Sequence, residues 1–288
     1  PSIRAPLRPG LDFTGGTQIK LERQCNVETC TTINTTSITD RLSEILDSSG
    51  FQNSSVTTSN TKIQLLDKSK SLVIRLPFLT SSQSKLVLDS MASEVGPLEA
   101  GGASIDTIGP SLGARLLKSS LISLLVAFSS IAIYISIRFD RKYAFLALLA
   151  LAHDLVIVCG IFAWLGLMYQ VEVDSLFTVA LLTIAGYSVN DTVVIFDRIR
   201  ELNKFDEHTY VERIDIAVSS SLTRTLYTSS STLLPLIALI FFGGSSLKLF
   251  SIALAIGVVV GSWSSIALAP SLLSLNIKSN NNIVKVKV

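Results

Sequence analysis

The residues best suited to chemistry lie in Ala180 to Glu201, ALLTIAGYSVNDTVVIFDRIRE. This apolar run of membrane length carries Asn190 and Asp191 near its middle and ends in Asp197, Arg198, Arg200 and Glu201. A carboxylate inside a membrane costs roughly 2.5 to 3.5 kcal/mol on insertion scales, so it should face protein or water and have a partner. Asp191 lies about 8 Å inside the charged end of the run at 1.5 Å per residue. Thr183, Tyr187, Asp191 and Val194, spaced 4, 4 and 3 apart, make one partly polar helix face with Asn190 beside it. Two readings stand for this face: a polar cluster that only joins helices, or a titrating group on an ion path.

Arg224 is the candidate partner. It opens the next apolar run, SLTRTLYTSSSTLLP, where Ser219, Ser220, Ser221, Thr223, Thr225, Thr228, Ser229, Ser230 and Ser231 make a wet helix start. Such hydroxyls line a water-filled path or bond back to their own helix carbonyls. A lone Arg at a membrane edge otherwise snorkels to the interface. Paired with Asp191, it has a use: burial raises a carboxyl pKa and a nearby cation lowers it, so a small change in separation moves the site across ambient pH. Asp191 would carry the proton and Arg224 would modulate it. His153 and Asp154 form a second polar spot in an earlier run. They are adjacent rather than on one face, which argues against a relay between them and for helix-to-helix hydrogen bonds, with hydration of the ion path as the alternative.

Five runs could supply the helices that hold these groups: Ser119 to Ile137, Tyr143 to Met168, Leu176 to Phe196, Leu226 to Phe242 and Leu249 to Leu275. Each is near the 20 or so residues needed to cross about 30 Å of hydrocarbon. The last contains Gly257 and Gly261 as G-x-x-x-G, a pattern for close helix contact. Pro235 should kink the fourth run or sit where a neighbour covers the freed carbonyl. Arg138, Arg141 and Lys142 occupy the first loop, Arg198, Arg200, Lys204, Arg213 and Arg224 the third, and Lys278, Lys285 and Lys287 the tail, whereas the second loop has no Lys or Arg. By the positive-inside rule those basic segments are cytoplasmic and the polar N-terminal part is outside. An exterior domain with no anchor before it predicts one more spanning helix ahead of Pro1.

Residues 1–109 read as a small soluble domain. Thr17 to Glu22 alternates like a strand, and Ser37 to Ser48 is helical, with Ser37 as N-cap and Gly50 as stop. Val56 to Thr58, Lys62 to Leu66 and Ser71 to Leu76 are strand material. Ser81 to Val95 is an amphipathic helix through Leu86, Leu88, Met91 and Val95, and Ala103 to Ile108 is a closing strand. The order β-α-β-β-α-β is the ferredoxin-like split βαβ arrangement. The fold class is thus a polytopic α-helical membrane protein with a small α+β exterior domain. Its parts are 1–109 exterior, 110–275 membrane and 276–288 cytoplasmic tail.

Composition agrees. The chain is 288 residues, 48% hydrophobic and 16% charged, with mean hydropathy +0.52, too apolar for an ordinary soluble domain. Its 24 basic and 22 acidic residues show no basic stripe interleaved with aromatics, which excludes nucleic acid as a partner. Cys25 and Cys30 form a disulfide or remain two loop thiols, and their C-x4-C spacing without His is a poor zinc signal. No metal or cofactor is expected.

GLDFTGGTQIKLE at Gly10 to Glu22, HDLVIV at His153 to Val158, LLTIAGYSVNDTVVIFDRIRE at Leu181 to Glu201, SLTRTLYTS at Ser221 to Ser229 and FFGGSSLKLFSIALAIGVVVGSWSSIALAP at Phe241 to Pro270 together resemble the SecF branch of the SecD/SecF family. The resemblance covers nearly the whole chain in order. It implies an RND-superfamily helix bundle of six spans, with a ferredoxin-like domain after the first, and a pseudo-symmetric contact with SecD. It further implies use of the proton gradient to move or release unfolded preprotein on the outer face, after the SecA motor has driven it through the SecYEG channel. The family's intramembrane Asp falls on Asp191 and its motif Arg on Arg224. The implied home is the bacterial plasma membrane, with the thylakoid membrane as the alternative. The absent first span is the departure from the pattern.

Competing classes make different demands. A proton-coupled small-molecule exporter of the RND type usually carries a much larger exterior domain. An aspartyl protease needs two facing carboxylates, and no second run holds a comparable Asp in a Gly-x-Gly-Asp setting, so an enzyme is not expected. A pure scaffold requires Asp191→Asn to be silent.

Overall fold

The computed structural model describes residues 7–25, 34–47, 61–66, 69–202 and 209–275. It divides into two compact units, Pro9–Lys118 and the rest.

After the short β1 (Arg8–Pro9) at its boundary, the first unit runs α1 (Leu11–Thr14), β2 (Gly16–Arg23), α2 (Thr35–Leu46), β3 (Lys62–Leu66), β4 (Ser71–Leu76), α3 (Ser81–Val95) and β5 (Leu98–Ile108). The four long strands lie in the order β3-β4-β2-β5 and all their pairings are antiparallel. This is the split βαβ topology that the order of elements predicts. β2 is central because its alternate residues Ile19 and Leu21 are fully buried, and α2 and α3 meet them with Ile38, Leu42, Val87 and Met91. Each such side chain contributes about 1.5 to 3 kcal/mol by leaving water.

Three local readings need correction. Asn34, not Ser37, caps α2, its side chain accepting from the Thr36 amide, because a cap oxygen must sit outside the first helical turn. The buried stripe of α3 is Ser84, Val87, Met91 and Val95, whereas Leu86 is 45% exposed. The bounds of α3 are as read, however, fixed by the Thr80/Gln83 capping box. β5 also starts five residues ahead of the expected Ala103. The strand read at Val56 to Thr58 lies outside the described residues, as do Lys204 and the tail lysines.

The paired glycines of GLDFTGG have a steric task. Gly15 and Gly16 have φ of 67° and 125°, a region that favours glycine. A Cβ on Gly15 would lie 2.9 Å from Pro110 Cα, and one on Gly16 2.6 Å from the Leu76 carbonyl oxygen. Gly113 in turn approaches the Gly15 amide nitrogen, 2.9 Å from a built Cβ. The chain leaving β5 is thereby locked against the start of β2, and the unit runs on to Lys118.

The second unit holds the helices α4 (Pro110–Arg138, which the first unit shares), α5 (Arg141–Met168), α6 (Ser175–Leu202), α7 (Tyr210–Phe242) and α8 (Ser245–Trp263), with the short strand β6 (Glu172–Val173) before α6. A π turn, Ser264–Leu268, interrupts the last helix before it runs on to Leu275. Five helices are long and apolar enough to cross a membrane. Several begin earlier than their apolar runs, since helix caps act outside hydrocarbon too: Thr209 and Glu212 form a capping box that starts α7. α7 continues through Pro235. Two apolar clusters fill the bundle. One is built on Phe139, Tyr143 and Phe196, the other on Phe162, Phe177 and Ile184. Between them runs a layer of buried polar side chains.

Candidate functional site

The polar layer exists because α6 and α8 approach unusually closely. A Cβ on Gly257 would lie 2.3 Å from Ile184 Cγ1, and one on Gly261 3.2 Å from Ser188 Cβ. The G-x-x-x-G notch therefore receives two residues of α6 one turn apart, and hydroxyls of α8 reach across to the polar face of α6.

Asp191 is 4% exposed. The Ser262 hydroxyl lies beside its carboxylate, and the positive field of Arg224 acts on it. Its Oδ2 has no hydrogen-bond partner among the described residues. Ser262 Oγ is 2.6 Å from Ser229 Oγ, which accepts from the Tyr187 hydroxyl at 3.0 Å. Tyr187, Ser229 and Ser262 thus form a chain of rotatable O–H groups that joins α6, α7 and α8 and ends beside Asp191. Each hydroxyl in it can both donate and accept.

Asp154 is fully buried. Its Oδ2 accepts from Ser188 Oγ at 2.6 Å and from Ser264 Oγ at 2.7 Å, and its Oδ1 is 3.0 Å from His153 Nδ1. The expected helix-to-helix bonds are present. Although adjacent in sequence, His153 and Asp154 touch, because an imidazole Nδ1 lies close enough to its own backbone to reach the next side chain. Asp154 is also a second buried carboxylate on the helix facing Asp191. It lies in HDLV rather than a Gly-x-Gly-Asp setting, and both of its oxygens are engaged. Thr192 Oγ1 and Ser265 Oγ close the layer at 2.8 Å.

The remaining expected members fall elsewhere. Thr183 is exposed and donates to its own helix at the Val179 carbonyl, while Asn190 is exposed. A helix face inferred from spacing has a width of about 100°. The bundle selected its Ser188 edge and left Thr183 outside. Arg224 is exposed as well. It acts on Asp191 through its field and lines a cavity of about 620 Å3 with Arg138, Asp197, Arg198, Arg200 and Glu201. That cavity is braced by Asp197, which pairs with Arg138 at 2.5 Å and Arg200 at 3.1 Å, and by both guanidiniums lying over the Phe139 ring.

Sequence reasoning missed Ser188, Thr192, Ser262, Ser264 and Ser265. The available signal was the hydroxyl density of GSWSS, Gly261 to Ser265, within an otherwise apolar run. Cys25 is disulfide-bonded, whereas Cys30 lies outside the described residues. Among the described residues no three His, Cys, Asp or Glu side chains gather as a metal site.

The family model described as protein export membrane protein SecD/SecF, C-terminal, matches residues 87–279, and the SecD/SecF GG motif matches residues 4–27. The chain belongs to the SecD/SecF family. Its GG motif is the Gly15–Gly16 pair that locks β2 against Pro110. Within the family it is 62% identical over 277 residues to the protein translocase subunit SecF of Prochlorococcus marinus, covering 95% of this chain and 85% of that protein. It is 42% identical to the SecF of Synechocystis sp., covering 94% and 83%. The crystal structure of SecDF from Thermus thermophilus, a translocon-associated membrane protein, superposes with a TM-score of 0.74 at 32% identity. That match covers 94% of this chain and 34% of that one, so the chain spans about a third of SecDF. The chain is therefore a multi-pass membrane protein of the SecF translocase type.

Proposed function

We propose that this subunit works with a SecD partner, using the proton motive force to promote preprotein translocation and release on the outer face of the membrane. Asp191 carries the proton and Arg224 tunes it. The observation that carries the reading is the Asp191 carboxylate, 4% exposed, with one oxygen unpartnered and a hydroxyl chain leading to it from three helices. Protonation removes the attraction to Arg224 and changes what Ser262 can donate to, so the two charge states favour different seatings of α6 against α7 and α8. One charge crossing the membrane potential supplies about 2.3 kcal/mol per 100 mV, enough to bias such a pair of states. The exterior unit, locked to the start of α4 by its glycines, is the part that would pass motion to the preprotein.

The name of the Thermus relative, SecDF, supports SecD as the partner. SecYEG, SecA and unfolded preprotein follow from the translocase assignment. The role is transport rather than enzymatic, in an energised membrane: the bacterial plasma membrane, with the thylakoid as the alternative. The test is preprotein translocation in vesicles with and without a proton gradient, comparing the parent with Asp191→Asn and Arg224→Met. Loss of the gradient-dependent part in both variants supports the assignment. Full gradient dependence in both refutes it.

A further inference from the structure

The cavity at the charged end of the bundle has a chemistry that proton transfer does not use. Four guanidiniums, from Arg138, Arg198, Arg200 and Arg224, face two carboxylates, from Asp197 and Glu201, across about 620 Å3. That leaves two positive charges in excess, in a volume typical of a ligand pocket. Three of the guanidiniums are already held in place. Asp197 clamps Arg138 and Arg200 and Glu201 holds Arg198 at 2.6 Å, so less side-chain entropy is lost when an anion arrives. Arg224 supplies the fourth, on α7.

Its depth points to the interface. Arg138 ends α4, and Arg198 and Arg200 lie in the last turns of α6. From Phe242 back to Arg224 is 18 residues of α7, about 27 Å at 1.5 Å per residue, which matches the hydrocarbon thickness of about 30 Å. All four guanidiniums therefore lie where acyl chains give way to headgroups. Within about a turn and a half of Arg138 on α4, Ile137 is 82% and Ile133 61% exposed, an apolar surface at the same end of the helix as the cavity. A ligand with a phosphate at one end and acyl chains at the other fits both features, whereas a dissolved phosphate fits only the first.

We infer that this cavity binds the phosphodiester headgroup of an anionic phospholipid, with its chains along the outer face of α4. Basic pockets between spanning helices on the cytoplasmic side are suited to such headgroups, and guanidinium forks match phosphate geometry. Occupancy would set the charge beside Arg224 and so link lipid composition to the cation that acts on Asp191. The binding claim itself does not depend on the proton-coupling reading.

The test is native mass spectrometry of the purified full chain in detergent, with phosphatidylglycerol or phosphatidylcholine of matched acyl chains. Phosphatidylglycerol adducts should survive collisional activation that strips phosphatidylcholine. The Arg198→Gln, Arg224→Gln double variant should bind phosphatidylglycerol about thirtyfold more weakly, while Arg198→Lys keeps most of the binding and circular dichroism confirms that each variant is folded. Equal retention of the two lipids, or a folded double variant that binds like the parent, overturns the proposal. Displacement of phosphatidylglycerol by millimolar inorganic phosphate also overturns it and makes the cavity a site for soluble anions.

Discussion

Asp154 and Asp191 sit in one polar layer, on neighbouring helices, and the bundle treats them oppositely. Asp154 is fully buried and both of its oxygens are engaged, by two serines and a histidine. Asp191 is nearly as buried, yet it keeps a bare oxygen and depends on one serine and a distant guanidinium. A satisfied carboxylate is a structural tie, since every change at it leaves other groups unpaired. An under-satisfied one is free to exchange a proton. Burial alone does not distinguish these roles; occupancy of the lone pairs does.

The sharpest way to break this comparison is to neutralise each acid with its isostere. Asp191→Asn should abolish the gradient-dependent part of translocation while costing no more than about 1 to 3 kcal/mol of stability, the cost of one buried amide group without an acceptor. Asp154→Asn should retain that dependence, because an amide oxygen can still accept from Ser188 and Ser264. The reverse pattern in the vesicle assay would exchange the two roles. Asp154→Ala, by contrast, removes all three of these bonds and leaves the buried Ser188 hydroxyl without its acceptor, and should cost about 3 kcal/mol in denaturant unfolding of the purified protein. A loss under about 1 kcal/mol would mean that Asp154 is no tie.

Smaller effects probe the frame that holds the two acids. Gly257→Ala puts a methyl into Ile184 and should destabilise by about 1 to 3 kcal/mol, with partial recovery when Ile184 is shortened to Val. Additive losses would show that the notch is not what seats α8 on α6. Ser264→Ala removes one of the hydrogen bonds to Asp154 and should cost about 1 kcal/mol. It should leave the gradient response of translocation intact, and a shifted response would tie the π turn to Asp191 after all.

Much of this protein was legible without coordinates. The membrane runs, the bounds of α3, the strand order and the burial of Asp191 away from lipid all come from signals carried within about 20 residues: apolar length, a capping box, alternation, one expensive charge. Those signals are local because desolvation and backbone hydrogen bonding act on each segment whatever surrounds it. Which side chains meet was decided only by the tertiary structure. Spacing predicted a face through Thr183, Tyr187, Asp191 and Val194 with Asn190 beside it, and the bundle buried Asp191 together with Ser188 and Thr192 while leaving Thr183 and Asn190 exposed, because the glycine notch of α8 fixes the rotation of α6. It also completed Asp154 with serines 34 and 110 residues away in the chain, and aimed Arg224 at a charged cavity rather than into contact with Asp191. Helix rotation and approach depend on the fit of every neighbouring surface at once, so no single stretch of sequence specifies them.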